Sequence, residues 1–211
     1  NVLVDQPTRE GYTFVGWSIN LPETMPNEDI ELVAIYEINQ YTITFDSNEG
    51  IYVQSITQDY YSIVIEPTEP TRVGYSFLGW YSDEELTNEY IFNRMQADDI
   101  TLYAKWIINE YTVKFTDWDG AILFEEDYLY GSDISEISVN PTTRTGYTYI
   151  GWSQPLPNTM PGNDLIIESV YQINKYTIDF VVNGGSSVQR YHLDYNTNIA
   201  EPEEPTREGY T

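Results

Sequence analysis

Cysteine is absent from the 211 residues. That excludes disulfides, thiolate nucleophiles and thiolate metal sites. His192 is the sole histidine, so no Cys-His pair exists, and it reads as an ordinary strand residue. Basic side chains are scarce, 9 against 34 acidic, for a net charge of -25. Such a surface repels phosphate backbones and anionic headgroups, which argues against nucleic acid and membrane-surface partners. No apolar run is long enough to span a bilayer, and no signal-peptide pattern opens the sequence. Any export signal is expected outside this stretch. Phosphate-loop and zinc spacings are also missing.

What is present is apolar and aromatic material: 41% hydrophobic, 15% aromatic, with 20 tyrosines. This suffices for folded cores and sets the chain apart from disordered acidic tails. Tyrosine favours strands and tolerates half-wet positions.

The chain repeats itself, and the repeat decides the architecture. Arg-x-Gly-Tyr occurs at 9–12, 72–75, 144–147 and 207–210. Three copies continue to a Gly-Trp ending at Trp17, Trp80 and Trp152. A block of Met, three residues, Asp and an alternating apolar run then follows from Met25, Met95 and Met160. A third block opens the next unit at Tyr41–Phe45, Tyr111–Phe115 and Tyr176–Phe180. Successive Gly-Tyr motifs lie 63, 72 and 63 residues apart, so short and long units alternate with a true period of 135. The units expected are a second half at 1–38, whole units at 39–107 and 108–172, and a first half at 173–211.

Period-two alternation is the strand signal. Ile30, Leu32, Ala34 and Tyr36 share one face, as do Ile100, Leu102, Ala104 and Trp106, and Tyr41, Ile43 and Phe45. One-sided burial predicts antiparallel or mixed sheets with a wet face. Prolines at 67, 70, 202 and 205 keep the approach to each Arg-x-Gly-Tyr extended. The one helical candidate is Ser82–Leu86, where Ser82 and Glu85 have capping-box spacing. The links 37–40, 107–110 and 172–175 contain no Gly, Pro or Ser and predict a stiff row of units.

Taken together, Tyr41–Phe45, Gly74–Tyr81 and Asp99–Trp106 closely resemble the Listeria-Bacteroides surface repeat, the internalin-type B-repeat. The likeness covers nearly the whole chain. It implies a mostly β fold of tandem, small, β-grasp-like units with little helix, in an extended array. It implies a place outside the cell, at a bacterial cell surface or wall. It also implies a non-catalytic stalk or spacer, without cofactor. The alternative is a multivalent adhesion module that binds host glycans or proteins through exposed aromatics. Neighbouring units in the same chain are the expected partners.

Candidate sites are therefore weighed against structural roles. Arg9, Arg72, Arg144 and Arg207 could stack a ligand, but recurrence in every unit favours an Arg laid over a Trp or pairing an acid to hold the turn. Leu21–Met25 and Leu156–Met160 look like sortase signals, yet Met follows Thr where such a signal needs Gly; they read as tight loops. Asp46–Gly50 and Asp117–Gly120 suggest calcium loops but lack the alternate oxygens and closing Glu of an EF-hand, and read as hairpin turns. No catalytic, cofactor or metal residue is assigned.

Overall fold

The computed structural model describes residues 5–210. They divide between two compact bodies, Asn1–Asn109 and Glu110–Thr211. The first holds β1 (Tyr12–Trp17), β2 (Ala34–Ile38), β3 (Gln40–Asp46), β4 (Ile56–Asp59), β5 (Tyr75–Tyr81) and β6 (Ile100–Ile108). The second holds β7 (Glu110–Thr116), β8 (Ile122–Leu129), β9 (Tyr147–Trp152), β10 (Leu165–Ile173), β11 (Lys175–Ile178) and β12 (Tyr191–Asp194). No helix occurs among the described residues, so the fold is mostly β, as the alternation predicts.

Each body carries one four-stranded sheet, ordered β4-β3-β6-β5 in the first and β8-β7-β10-β9 in the second. The two central strands run parallel, β3 with β6 and β7 with β10. Antiparallel hairpin partners flank them. Each body also carries a lone two-stranded hairpin, β1-β2 in the first and β11-β12 in the second.

The aromatic-x-Gly-Trp motif gains a reason here. Phe77 and Trp80 are three residues apart, which in a regular strand would put them on opposite faces. The ladder of β5 on β6 skips a register between Phe77 and Gly79. That bulge returns Trp80 to the face of Phe77, and the rings meet edge to face at 5.4 Å. Gly79 holds φ +137 and Gly151 the same value, a backbone that side-chain-bearing residues rarely adopt. Trp80 then packs on Phe45 at 4.7 Å and Trp152 on Phe115 at 4.9 Å.

The first core is built from Ile43, Phe45, Val53, Val64, Trp80, Met95, Leu102 and Ala104. The second uses Val113, Phe115, Ile134, Met160, Leu165 and Ile167. The alternating faces read from the sequence supply Ile43, Phe45, Leu102 and Ala104 of the first, and their repeat equivalents Val113, Phe115, Leu165 and Ile167 of the second. Met95 and Met160 each plug a core from a loop, whereas Met25, at the same place in its repeat, is exposed. Met95 is clamped by backbone bonds to Tyr61 and Ser62, and Met160 by bonds to Gly131 and Ser132. The Asp four residues later reaches the neighbouring parallel strand. Asp99 accepts the Thr42 N–H at 2.7 Å, and Asp164 accepts that of Thr112 at 2.9 Å.

The helix expected at Ser82–Leu86 is not formed; the segment is a turn. Asp83, not Ser82, is its anchor, accepting the N–H groups of Thr87 and Asn88 and the Thr87 hydroxyl. Those bonds, led by the Thr87 N–H, hold its carboxyl below the usual range. Leu86 sits at φ +55, outside helical space. A five-residue stretch is too short to repay helix nucleation when a side chain offers a better local bond.

Candidate functional site: an arginine corner and a repeat junction

Each Arg-x-Gly-Tyr motif closes a tight turn. The Tyr N–H bonds back to the Arg carbonyl at 3.0 Å (Tyr12), 3.1 Å (Tyr75), 3.0 Å (Tyr147) and 3.2 Å (Tyr210). The third residue needs a positive φ, which glycine supplies at +75 to +80 in all four copies. The turn folds the guanidinium over the Tyr ring of the same motif, 3.6–4.2 Å from its centroid. Arg72 also pairs with Glu49, and Arg144 also lies 4.1 Å from the centroid of Trp118. The arginines thus cover an aromatic or pair an acid. The aromatic is the motif's own Tyr rather than the downstream Trp.

Behind the Arg144 corner of the second body lies Asp117, 4% exposed. Its carboxylate accepts Ser169 Oγ at 2.5 Å, Tyr171 Oη at 3.2 Å, the Trp118 N–H at 2.9 Å, and both the hydroxyl and N–H of Thr142. Burial alone would raise its pKa; the hydrogen bonds outweigh it and hold the group at about 2. In the first body the equivalent corner, at Arg72, is braced differently. There the Trp106 indole N–H donates to the Ser47 carbonyl at 2.9 Å, and Asn48 Nδ2 donates to the Ala104 carbonyl at 2.7 Å. The acidic loops are therefore occupied with their own backbone. Asp46 accepts the Asn48 N–H, and Asp119 that of Ala121. Among the described residues no group of three or more metal-ligating side chains converges.

The other candidates also fall into structural settings. Asn158, inside the second sortase-like string, accepts the Ile134 N–H on its carbonyl, and Met160 is 1% exposed. The first string, at 21–25, lies exposed without strand structure. His192 sits on β12 opposite Thr177, whose hydroxyl lies 3.1 Å from its Nδ1.

A second feature escaped the motif reading: the link residue Asn. Asn39 donates its N–H to the Gly11 carbonyl and accepts the Tyr60 N–H, and its side chain accepts the Thr13 hydroxyl at 2.7 Å. Asn174 repeats the set with Gly146, Tyr195 and Thr148, the last at 2.6 Å. Asn109 bonds Gly74 and Ser76 in the same way. The Tyr rings seal the joint. Tyr60 meets Tyr12 at 6.1 Å and Tyr41 at 6.4 Å; Tyr195 meets Tyr147 and Tyr176, both at 6.3 Å. The turn glycine is the seat: a Cβ on Gly11 would lie 2.0 Å from the Tyr60 ring, and one on Gly146 2.1 Å from that of Tyr195. The signal was present, since Asn39, Asn109 and Asn174, and Tyr60, Tyr130 and Tyr195, recur in one register.

Small mixed sheets in tandem, with the links at Asn39 and Asn174 bonded to the turn before and the hairpin after, define a tandem β-repeat region. The Listeria-Bacteroides repeat domain matches residues 1–35, 41–105, 111–159 and 176–211. The chain belongs to that family. Two proteins of Evansella cellulosilytica, one named a membrane protein and one a Gly-rich membrane protein, are 38% and 35% identical over 85% and 97% of this chain. Internalin H of Listeria monocytogenes is 40% identical over 49% of it. The chain spans 28%, 26% and 21% of the lengths of these relatives.

Proposed function

We propose that this chain is a non-catalytic spacer within a bacterial surface protein, part of a stalk that carries other segments away from the envelope. The observation that carries this reading is the repeated junction. A link held by two backbone bonds, one side-chain bond and a seated Tyr ring transmits orientation; a flexible tether would have none of these. The names of the relatives, membrane proteins and an internalin, support an envelope location. The mixed sheet with its parallel central pair supports a β-grasp-like unit.

Adhesion through exposed aromatics is the second reading, favoured by Tyr52, Tyr61 and Trp118, which are 77%, 60% and 46% exposed. These do not recur in register. Ile122 and Ser187 replace Tyr52, Gly131 and Asn196 replace Tyr61, and Asn48 and Asn183 replace Trp118. Avidity needs the same grip in each unit, so the spacer reading is preferred. Solution scattering tests it. A spacer of three unit-equivalents gives a radius of gyration near 25 Å, against about 17 Å for a globule of this length; the smaller value sinks the proposal. Glycan-array binding lost on Tyr52→Ser or Tyr61→Ser would favour adhesion instead.

A further inference from the structure

The two bodies differ in what covers the tryptophan at the edge of the sheet. β5 and β9 are the outermost strands of their sheets, and an outermost strand leaves one row of backbone groups without a strand partner. In the first body the chain itself covers that row. Glu89 bridges Tyr81, the Ser82 N–H donates to the Asn88 carbonyl, and the Tyr90 N–H donates to the Trp80 carbonyl at 2.7 Å. The covering segment alternates as a strand does. Tyr90 and Phe92 pack on the core, with the Phe92 ring stacked 6.3 Å from that of Phe45, while Ile91 between them is 82% exposed. Trp80 is left 1% exposed.

The second body lacks this cover. Counted back from Met160 as from Met95, Pro155 stands in the place of Tyr90 and Pro157 in that of Phe92. The alignment holds in space, because Asn93 and Asn158 accept the equivalent N–H groups of Val64 and Ile134. Pro155 has no N–H to offer the Trp152 carbonyl, and neither proline supplies an aromatic ring. Among the described residues no β-bridge joins 154–158 to β9. Trp152 is half-buried rather than sealed. Beside it opens a groove of about 440 Å³ with apolar walls of Phe115, Ile137, Val139, Trp152 and Leu156.

We propose that this groove docks an extended segment of a second protein, one with an aromatic-x-aromatic pair between basic residues. The segment adds to the outer edge of β9 and sets its rings where Tyr90 and Phe92 sit in the first body, a strand-addition mode of recognition. The first body argues for this occupant, since it displays the backbone bond and the ring spacing that the same motif accepts. The basic flanks follow from charge complementarity. The chain carries a net charge of -25, and the exposed Glu136 adjoins the groove residue Ile137. A spacer neither requires nor supplies such a site.

The probe is a synthetic peptide of residues 87–94, Thr-Asn-Glu-Tyr-Ile-Phe-Asn-Arg, extended by lysines at both ends. It is titrated into the intact chain and followed by calorimetry and by the indole N–H signals in NMR. Saturable binding is expected, with the Trp152 indole and the β9 amides shifting, the Trp80 indole unmoved, and affinity falling as salt is added. Replacing both aromatic residues of the peptide with serine should weaken binding about tenfold. Leu156→Asp should do the same by placing a charge in the groove. Ser138→Arg, at an exposed position on the rim, should weaken binding without disturbing the core, which keeps the test decisive if Leu156→Asp does not fold. No saturable binding up to millimolar peptide, equal binding of the serine peptide, or shifts at Trp80 in place of Trp152 overturns the proposal. So does a mass that rises with concentration in the absence of peptide together with the Trp152 shift, since the occupant is then a second copy.

Discussion

Replacing Gly146 with Ala should damage the chain out of proportion to the single methyl added. Gly146 sits at φ +79, a left-handed backbone that costs an L-residue about 1–2 kcal/mol. Its new Cβ would stand 2.1 Å from the Tyr195 ring, far inside contact distance, so the ring must leave. Leaving forfeits the edge-to-face contacts with Tyr147 and Tyr176, about 0.5–1.5 kcal/mol each. The sum is about 2–5 kcal/mol. Gly120 provides the control. It has φ +84 in the same body, but nothing within 4 Å of an added Cβ. Gly120→Ala should cost the backbone part alone, about 1–2 kcal/mol. The assay is urea unfolding, with hydrogen exchange at the Tyr195 amide, which bonds the Asn174 carbonyl. Gly146→Ala should speed that exchange, and Gly120→Ala should not. In a Tyr195→Ala background, Gly146→Ala should fall to the backbone cost, a coupling that a double-mutant cycle measures directly. If the two glycine variants are equally destabilised, the seat has no energetic role and the junction argument fails.

Three further outcomes follow from the same geometry. The Asp117 carboxyl is held at about 2, below the usual value near 3.9; its contribution is therefore complete above about pH 4 and is lost as pH falls toward 2. Asp117→Asn should flatten that part of the pH–stability curve and cost about 1–3 kcal/mol at neutral pH, since several donors lose a charged acceptor; an unchanged acid limb would refute the assignment. Met95→Ala should cost about 2–5 kcal/mol by opening a cavity, whereas Met25→Ala should stay within about 0.5 kcal/mol because the site is exposed; calorimetry of both variants decides. Millimolar calcium or a chelator should leave the melting temperature unchanged, because the loop carboxylates already serve backbone N–H groups; a shift of many degrees would contradict that account.

Tandem β organisation was legible in the sequence because both of its signals are local. The 135-residue period is a property of the string of residues, and alternation at Ile100–Trp106 or Tyr41–Phe45 reports one buried face without knowing what covers it. The turn glycine could likewise be placed by its motif. Capping-box spacing at Ser82 and Glu85 misled, because it ignores the neighbouring Asp83, whose carboxylate outbids helix formation. Pairings between residues far apart in the chain were decided by the tertiary structure alone. Nothing local tells that the Met-x-x-x-Asp block and the Tyr-Thr block are parallel neighbours, or that Asp99 ends on the Thr42 N–H 57 residues away. Nor could the motif alone say why Gly11 and Gly146 must lack a side chain twice over, once for φ and once for a tyrosine from the following unit. Sequence pattern fixes which face of a strand is apolar; only the folded chain, by bringing distant edges into register, determines which side chain that face receives.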